Sequence, residues 1–221
     1  MQYVPIPNLG GCGRIKGILN NVYQAELLYE QSHYQVMKMK TKSYDVIVAM
    51  IHNHSKFRAS TDKQKTALQK FHDDIKNYEA IHNCQNTIAI GDFNANPFET
   101  ACISANAMHA IPFFEEVWGK PTRVIDGVEY QKFYNPTWKL FGNRNIPYTT
   151  YHYSKSDTVE YYWNAFDQVM IRPSLMNAFD ENLLKIVSET KSHQLIKNGK
   201  PNKSNYSDHL PLFCTLKEEL L

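Results

Sequence analysis

Apolar and polar residues alternate loosely from Tyr34 to Lys40, and Val46-Ile47-Val48-Ala49-Met50-Ile51 is almost continuously apolar. The two stretches predict a hairpin turning at Lys42-Ser43, with the second strand the more buried. From Thr61 the period changes: Leu68, Phe71, Ile75 and Tyr78 recur at helical spacing, and Thr61 with Gln64 three residues later matches a capping box. A helix is expected there, with His72 and His82 on its surface. Thr87-Ile88-Ala89-Ile90 reads as another buried strand, which completes a strand, helix, strand unit from about Val46 to Ile90 whose strands are parallel or neighbours in one sheet. Further on, the pattern predicts a short helix from about Phe98 to Met108 and a strand over Ala165 to Ile171. A helix after Pro173 and a last strand from Leu210 to Leu216 follow. Residues 125 to 165, rich in Asn, Tyr and Trp, predict a long irregular segment with short strands. Such aromatic density either packs a loop-rich region or stacks bases.

Polar residues gather where these strands end. Gly91 and Pro97 bracket Asp92-Phe93-Asn94-Ala95-Asn96, and strand alternation would aim Asp92 and Asn94 the same way. A carboxylate there takes a proton or binds a cation, and a carboxamide both donates and accepts. The alternative is a turn in which the two bond only their own backbone. Three other clusters sit at strand ends. They are His52-Asn53-His54-Ser55-Lys56, Asp167 within Trp163-Asn164-Ala165-Phe166-Asp167, and Ser207-Asp208-His209-Leu210-Pro211-Leu212.

A chain of 221 residues, 43% hydrophobic and 21% charged, buries a real core and reads as one globular domain over 1–221. No apolar run reaches the ~20 residues of a membrane span, and the start lacks a signal-peptide pattern, so a soluble, cytoplasmic protein is expected. Cys12, Cys84, Cys102 and Cys214 are too scattered for a metal site or a disulfide framework and read as reduced core thiols. The net charge of +2 is too small to announce a nucleic-acid binder. Lys191, Lys197, Lys200 and Lys203 nevertheless oppose only Glu189 between Ser188 and Tyr206, a basic stretch that reads as a mobile loop.

Gly91-Asp92-Phe93-Asn94 and Ser207-Asp208-His209, with His52 and Asp167 at strand ends in the same order, resemble the endonuclease/exonuclease/phosphatase superfamily, which includes deoxyribonuclease I. The resemblance spans roughly His52 to Leu216. It implies an α/β fold, a four-layer sandwich with two central mixed sheets flanked by helices, and hydrolysis of phosphate esters with Mg²⁺, or Mn²⁺ in its place. By the same resemblance Asp92 would orient or deprotonate the attacking water, and Asn94 would bind the scissile phosphate. His209, held by Asp167, would stabilise the transition state or assist the leaving group. Asp208 would help ligate the metal, and His52 would contact the phosphate or support the water network. Asn135 and Trp163, in the aromatic segment, are candidate substrate contacts. His54 reads as an exposed strand-end residue, because a ββα nuclease motif does not place its residues consecutively.

The chain also departs from the pattern. Members of the superfamily begin with a strand carrying an Asn and a second carrying a metal-binding Glu. Neither is recognisable here, and Gly11 to Leu19 resembles the strand that follows that Glu. A β-α-β piece of ~30 residues or more is expected to be missing, and Glu26 and Glu30 lie in the wrong place to substitute. Three accounts stand: a fragment of an active enzyme, an assembly in which a partner chain or dimer covers the exposed sheet edges, or an inactive relative. The leading expectation is a Mg²⁺-dependent phosphoesterase with nucleic acid as first substrate. Phosphoinositide or sphingomyelin-type headgroups and a noncatalytic binding module are the alternatives.

Overall fold

The computed structural model describes residues 2–6 and 8–218. Its centre is a seven-stranded mixed sheet. In chain order the strands are β1 (Gln24–Gln31), β2 (Tyr34–Lys40), β3 (Asp45–His52), β4 (Thr87–Asp92), β5 (Ala110–Ile111), β6 (Phe133–Tyr134) and β7 (Asp167–Ile171). They lie in the order β1-β2-β3-β4-β7-β6-β5. The hairpin β2–β3 is the one the alternation predicts, and the apolar run of β3 pairs in parallel with β4. The connection between β3 and β4 is helix α1 (Thr61–Ile81), which buries Leu68, Phe71 and Ile75 completely against the sheet. Truncating any of these three would cost ~2–5 kcal/mol.

Several local expectations shift. The cap of α1 is Ser60, whose side chain accepts the Lys63 backbone N–H, so the helix starts one residue from the Thr61 box. Gln64, freed from capping, is buried and donates to the carbonyls of His54 and Asn94. His72 is buried, not on the surface: it lies against Arg172, whose side chain crosses under α1. Helix α2 covers only Thr100–Ile103, and the helix after Pro173 is a single 3₁₀ turn, Pro173–Leu175. The last strand contracts to Leu212–Phe213, paired with Lys185–Ile186. Outside the large sheet, the ladders among the described residues are two-stranded pairs and isolated bridges. One of them lies within the lysine-rich stretch, which carries a short hairpin where the sequence suggests a loop. Ile196–Lys197 pairs with Lys200–Pro201 across Asn198-Gly199, both at positive φ, as a two-residue hairpin turn requires.

Glu26 and Glu30 fall on β1, the outermost strand, separated from β4 by β2 and β3. Glu30 accepts from the Gly11 N–H and from Gln35, which ties the N-terminal segment to the sheet edge and takes it out of any cleft chemistry.

Candidate active site

Register across the three central strands assembles the site. β3 and β4 are parallel with His52 opposite Asp92, and β4 and β7 are antiparallel with Asp92 opposite Asp167. His52, Asp92 and Asp167 therefore stand in one row at the strand ends. Gly91 makes this approach possible. Its φ is +137°, and a β-carbon there would lie 2.1 Å from the Ile51 carbonyl oxygen, so any side chain would push β3 and β4 apart just before the row.

Beyond Asp92 the chain turns sharply at Asn94, which has a φ of +50°. The Asn94 N–H donates to one Asp92 oxygen at 2.8 Å and the side-chain amide to the other at 2.7 Å. The strand-end and turn readings of Asp92 and Asn94 thus both hold, since one turn fixes the carboxylate and still leaves it facing a cleft of about 870 Å³. The second amide proton of Asn94 goes to the Asn53 carbonyl at 3.1 Å. Buried amides carry the scaffold outward: Asn96 donates to Asn164 and accepts the Ala165 N–H, which fixes the approach to β7. Gln168 donates to the Ala95 carbonyl.

His209 arrives from the far end of the chain. Leu210 N–H bonds to the Thr150 carbonyl, and the His209 ring places Nδ1 2.7 Å from Asp167 Oδ2. Ligand atoms of Asp92, Asp167 and His209 all lie within 4.8 Å of one another. Burial first, and then the neighbouring Asp167 charge, push the Asp92 carboxyl well above the usual carboxylate range. For His209 burial alone would lower the pKa, but the bond to Asp167 and the charges of Asp167, Asp92 and Asp208 more than offset it and raise it. His52, with Nε2 3.8 Å from Asp92, is shifted down by burial and by the positive charges of Arg14 and His209.

The structure brings together His52, Asp92, Asn94, Asp167 and His209, and places Asp208 on the rim of the same cleft. Asp208 is paired with Lys203 at 2.9 Å, and its side chain is 44% exposed against 15% for Asp92. It lies outside the compact Asp92, Asp167, His209 group. Asn135 does not reach the cleft: it is fully buried, donating to Gln168 and capping a 3₁₀ turn. Trp163 sits beside the cleft in an adjoining aromatic hollow with Tyr148, His152 and Tyr161, and it is its neighbour Asn164 that lines the cleft. Two tyrosines of the aromatic segment belong to a ring series on the cleft wall. Tyr151 stacks on Phe166 at 5.2 Å and leans on His209 at 4.6 Å, while Tyr153 meets Phe57 at 5.0 Å. The available signal was the alternation of Tyr151 and Tyr153, which puts both rings on one face.

Two carboxylates in register, one of them carrying a raised pKa, are a donor set that a divalent cation would relieve of its repulsion. Glu160, the one glutamate lining the cleft among the described residues, accepts the N–H groups of Tyr162 and Lys155.

No protein-family model and no curated protein matches the sequence. Solved structures do match. Truncated TDP2 from Caenorhabditis elegans is similar at a TM-score of 0.52 and 12% identity, over 98% of this chain and 75% of that one. TDP2 from D. rerio, complexed with a single-strand DNA product, is similar at a TM-score of 0.51 and 16% identity, over 97% of this chain and 76% of that one. Taken with the mixed sheet and its helices, these likenesses show that the chain has the deoxyribonuclease I-like α/β fold of the endonuclease/exonuclease/phosphatase superfamily.

Proposed function

We propose that this chain is a metal-dependent phosphodiesterase that hydrolyses nucleic acid. One observation carries the reading: Asp92, Asp167 and His209, from three distant parts of the sequence, converge within 4.8 Å at the floor of an open cleft. Asp92 receives the proton of the attacking water as its oxygen bonds to phosphorus. His209, held by Asp167 and favoured in its charged form, gives a proton to the leaving oxygen as the ester P–O bond breaks. Asn94 fixes both oxygens of Asp92, so a direct contact to phosphate requires its amide to leave the Asn53 carbonyl. Carboxylate oxygens of Asp92 and Asp167 would hold a Mg²⁺ or Mn²⁺ ion, which supplies positive charge to the phosphate oxygens. The Tyr151, Tyr153 and Phe166 rings offer faces on which bases stack. The DNA product bound by the D. rerio TDP2 supports the choice of nucleic acid over a lipid headgroup.

The test is hydrolysis of a labelled single-stranded oligonucleotide with Mg²⁺ or Mn²⁺, alongside calorimetric titration of each metal. Metal-dependent cleavage that Asp92→Asn abolishes is expected. Metal binding without cleavage of any phosphate ester would leave a binding module and end the enzymatic reading.

A further inference from the structure

A second concavity lies on the other side of the His52-Asn53-His54 segment. His52 lines the catalytic cleft, Asn53 is buried, and His54 lines a separate groove of about 430 Å³ between the β1–β2 turn and the first three turns of α1. Its charged and titratable lining is basic throughout apart from the Tyr34 ring. His33 comes from the turn, His54 from the strand end, and Lys63 and Lys70 from one face of the helix. Among the described residues no carboxylate lines it. The nearest acid by bonding, Asp74, is held by the Tyr34 hydroxyl. The catalytic cleft, by contrast, mixes Asp92, Asp157, Glu160, Asp167 and Asp208 with its cations.

The groove is also pre-shaped. The His33 and His54 rings lie 3.9 Å apart, and His33 Nδ1 bonds the His52 carbonyl at 3.0 Å. A carbonyl only accepts, so that nitrogen carries the proton and the ring is fixed with its other nitrogen free. Neither lysine is ion-paired among the described residues, and His54 is shifted down by burial and then by His33, Lys63 and Arg14. Two lysines and two imidazoles thus line one groove, at the N-terminal end of a 21-residue helix whose field also favours anions.

We propose that this groove is a second phosphate subsite, taking a backbone phosphate of the nucleic-acid strand whose scissile phosphate lies at Asp92, Asp167 and His209. His52 on the cleft and His54 on the groove are two residues apart, with at most about 7 Å between their α-carbons. The proposal places neighbouring phosphates of one strand on either side of buried Asn53. The placement of the strand rests on the nuclease reading; the anion site itself does not.

The experiment has two arms. In the first, inorganic phosphate is titrated into the metal-free protein while the His33 and His54 ring signals are followed by NMR. Saturable shifts of both rings that disappear in the Lys63→Ala/Lys70→Ala variant are expected. Absence of shifts at millimolar phosphate overturns the subsite whether or not the protein is an enzyme. The second arm compares a single-stranded oligonucleotide with bis(p-nitrophenyl) phosphate, which has one phosphate and cannot bridge the wall. The same double variant should raise KM for the oligonucleotide about tenfold with a shallower salt dependence, and leave the small diester unchanged. Equal effects on both substrates, or none on the oligonucleotide, overturn the bridging strand. If phosphate shifts both rings but neither substrate is cleaved, the anion site stands and the nuclease reading fails.

Discussion

Strand β7 carries an ionic cluster at each end, and the two are built differently. At its start, Asp167 faces Asp92 and His209 in an open cleft. Just past its other end, Arg172 is 2% exposed and enclosed: it forms two hydrogen bonds to Glu79, one to the Lys132 carbonyl and a contact to His72, with its guanidinium 3.9 Å from the Phe133 ring centre. Every charge there has its complement. At the cleft the opposite holds: two carboxylates face one histidine, which bonds Asp167, and burial and then the Asp167 charge raise the Asp92 pKa. A closed ion pair fixes the packing of α1 on the sheet, whereas an open one retains electrostatic demand that a cation or a reacting phosphate can meet.

The sharpest way to break this comparison is to mutate both ends. Arg172→Ala strands Glu79 in the core and should cost ~3–5 kcal/mol, read by chemical denaturation, while the paired Arg172→Met/Glu79→Leu change should cost far less. Asp92→Asn should do the reverse: it removes a buried charge but keeps only one of the two acceptors that Asn94 uses, so stability falls by no more than ~1–3 kcal/mol, while the hydrolysis rate falls ~10²–10³-fold or more. A large loss of stability in Asp92→Asn would show that the cleft cluster, too, is structural.

The third prediction uses pH. Asp92 and His209 both have folded-state pKa values above their ordinary ones. Around neutrality these two groups bind more protons in the folded state and make stability fall as pH rises, while His52, His54, His72, His109 and His152, whose pKa values burial lowers, act the other way. The His209 contribution is complete below its ordinary pKa of ~6.5 and is lost as pH passes its raised value; that of Asp92 is complete below the ordinary ~3.9 and decays above it. The melting temperature of the metal-free protein, taken relative to an Asp92→Asn/His209→Gln variant that lacks both groups, should thus be lower at pH 8 than at pH 6. Saturating Mn²⁺ should flatten or invert the trend, because metal and proton compete for the carboxylates. Asp167→Asn should lower the His209 titration followed by NMR. The smallest effect belongs to neither cluster: Ser60→Ala removes the α1 cap and should cost ~1 kcal/mol, whereas Thr61→Ala should cost less.

Much of this was legible locally. The run Val46 to Ile51, the helical spacing from Leu68 to Ile75 and the apolar Thr87 to Ile90 each carry a period that burial enforces, and each became the element it implied. The cap of α1 was ambiguous because Ser60 and Thr61 are both eligible and only the backbone angle at Ser60 decides. Asn198-Gly199 carried a hairpin signal that the surrounding lysines obscured. Asn135 and Trp163 were chosen by residue type, and type says nothing about whether an amide faces solvent or a buried Gln168. His72 belongs to a helix face whose partner, Arg172, lies one hundred residues away.

The sequence by itself determined the central strand, helix, strand unit and the chemistry at each strand end: His52, Asp92, Asp167 and His209 were all visible as polar breaks in apolar patterns. Only the tertiary structure decided that they meet. The register that sets His52 against Asp92 and Asp92 against Asp167 is a property of strand pairs, and it depends on a close approach that Gly91 alone permits. Pairing energy is nonlocal: a one-residue slip would turn these side chains to the other face, and what specifies against it is the burial of the whole sheet.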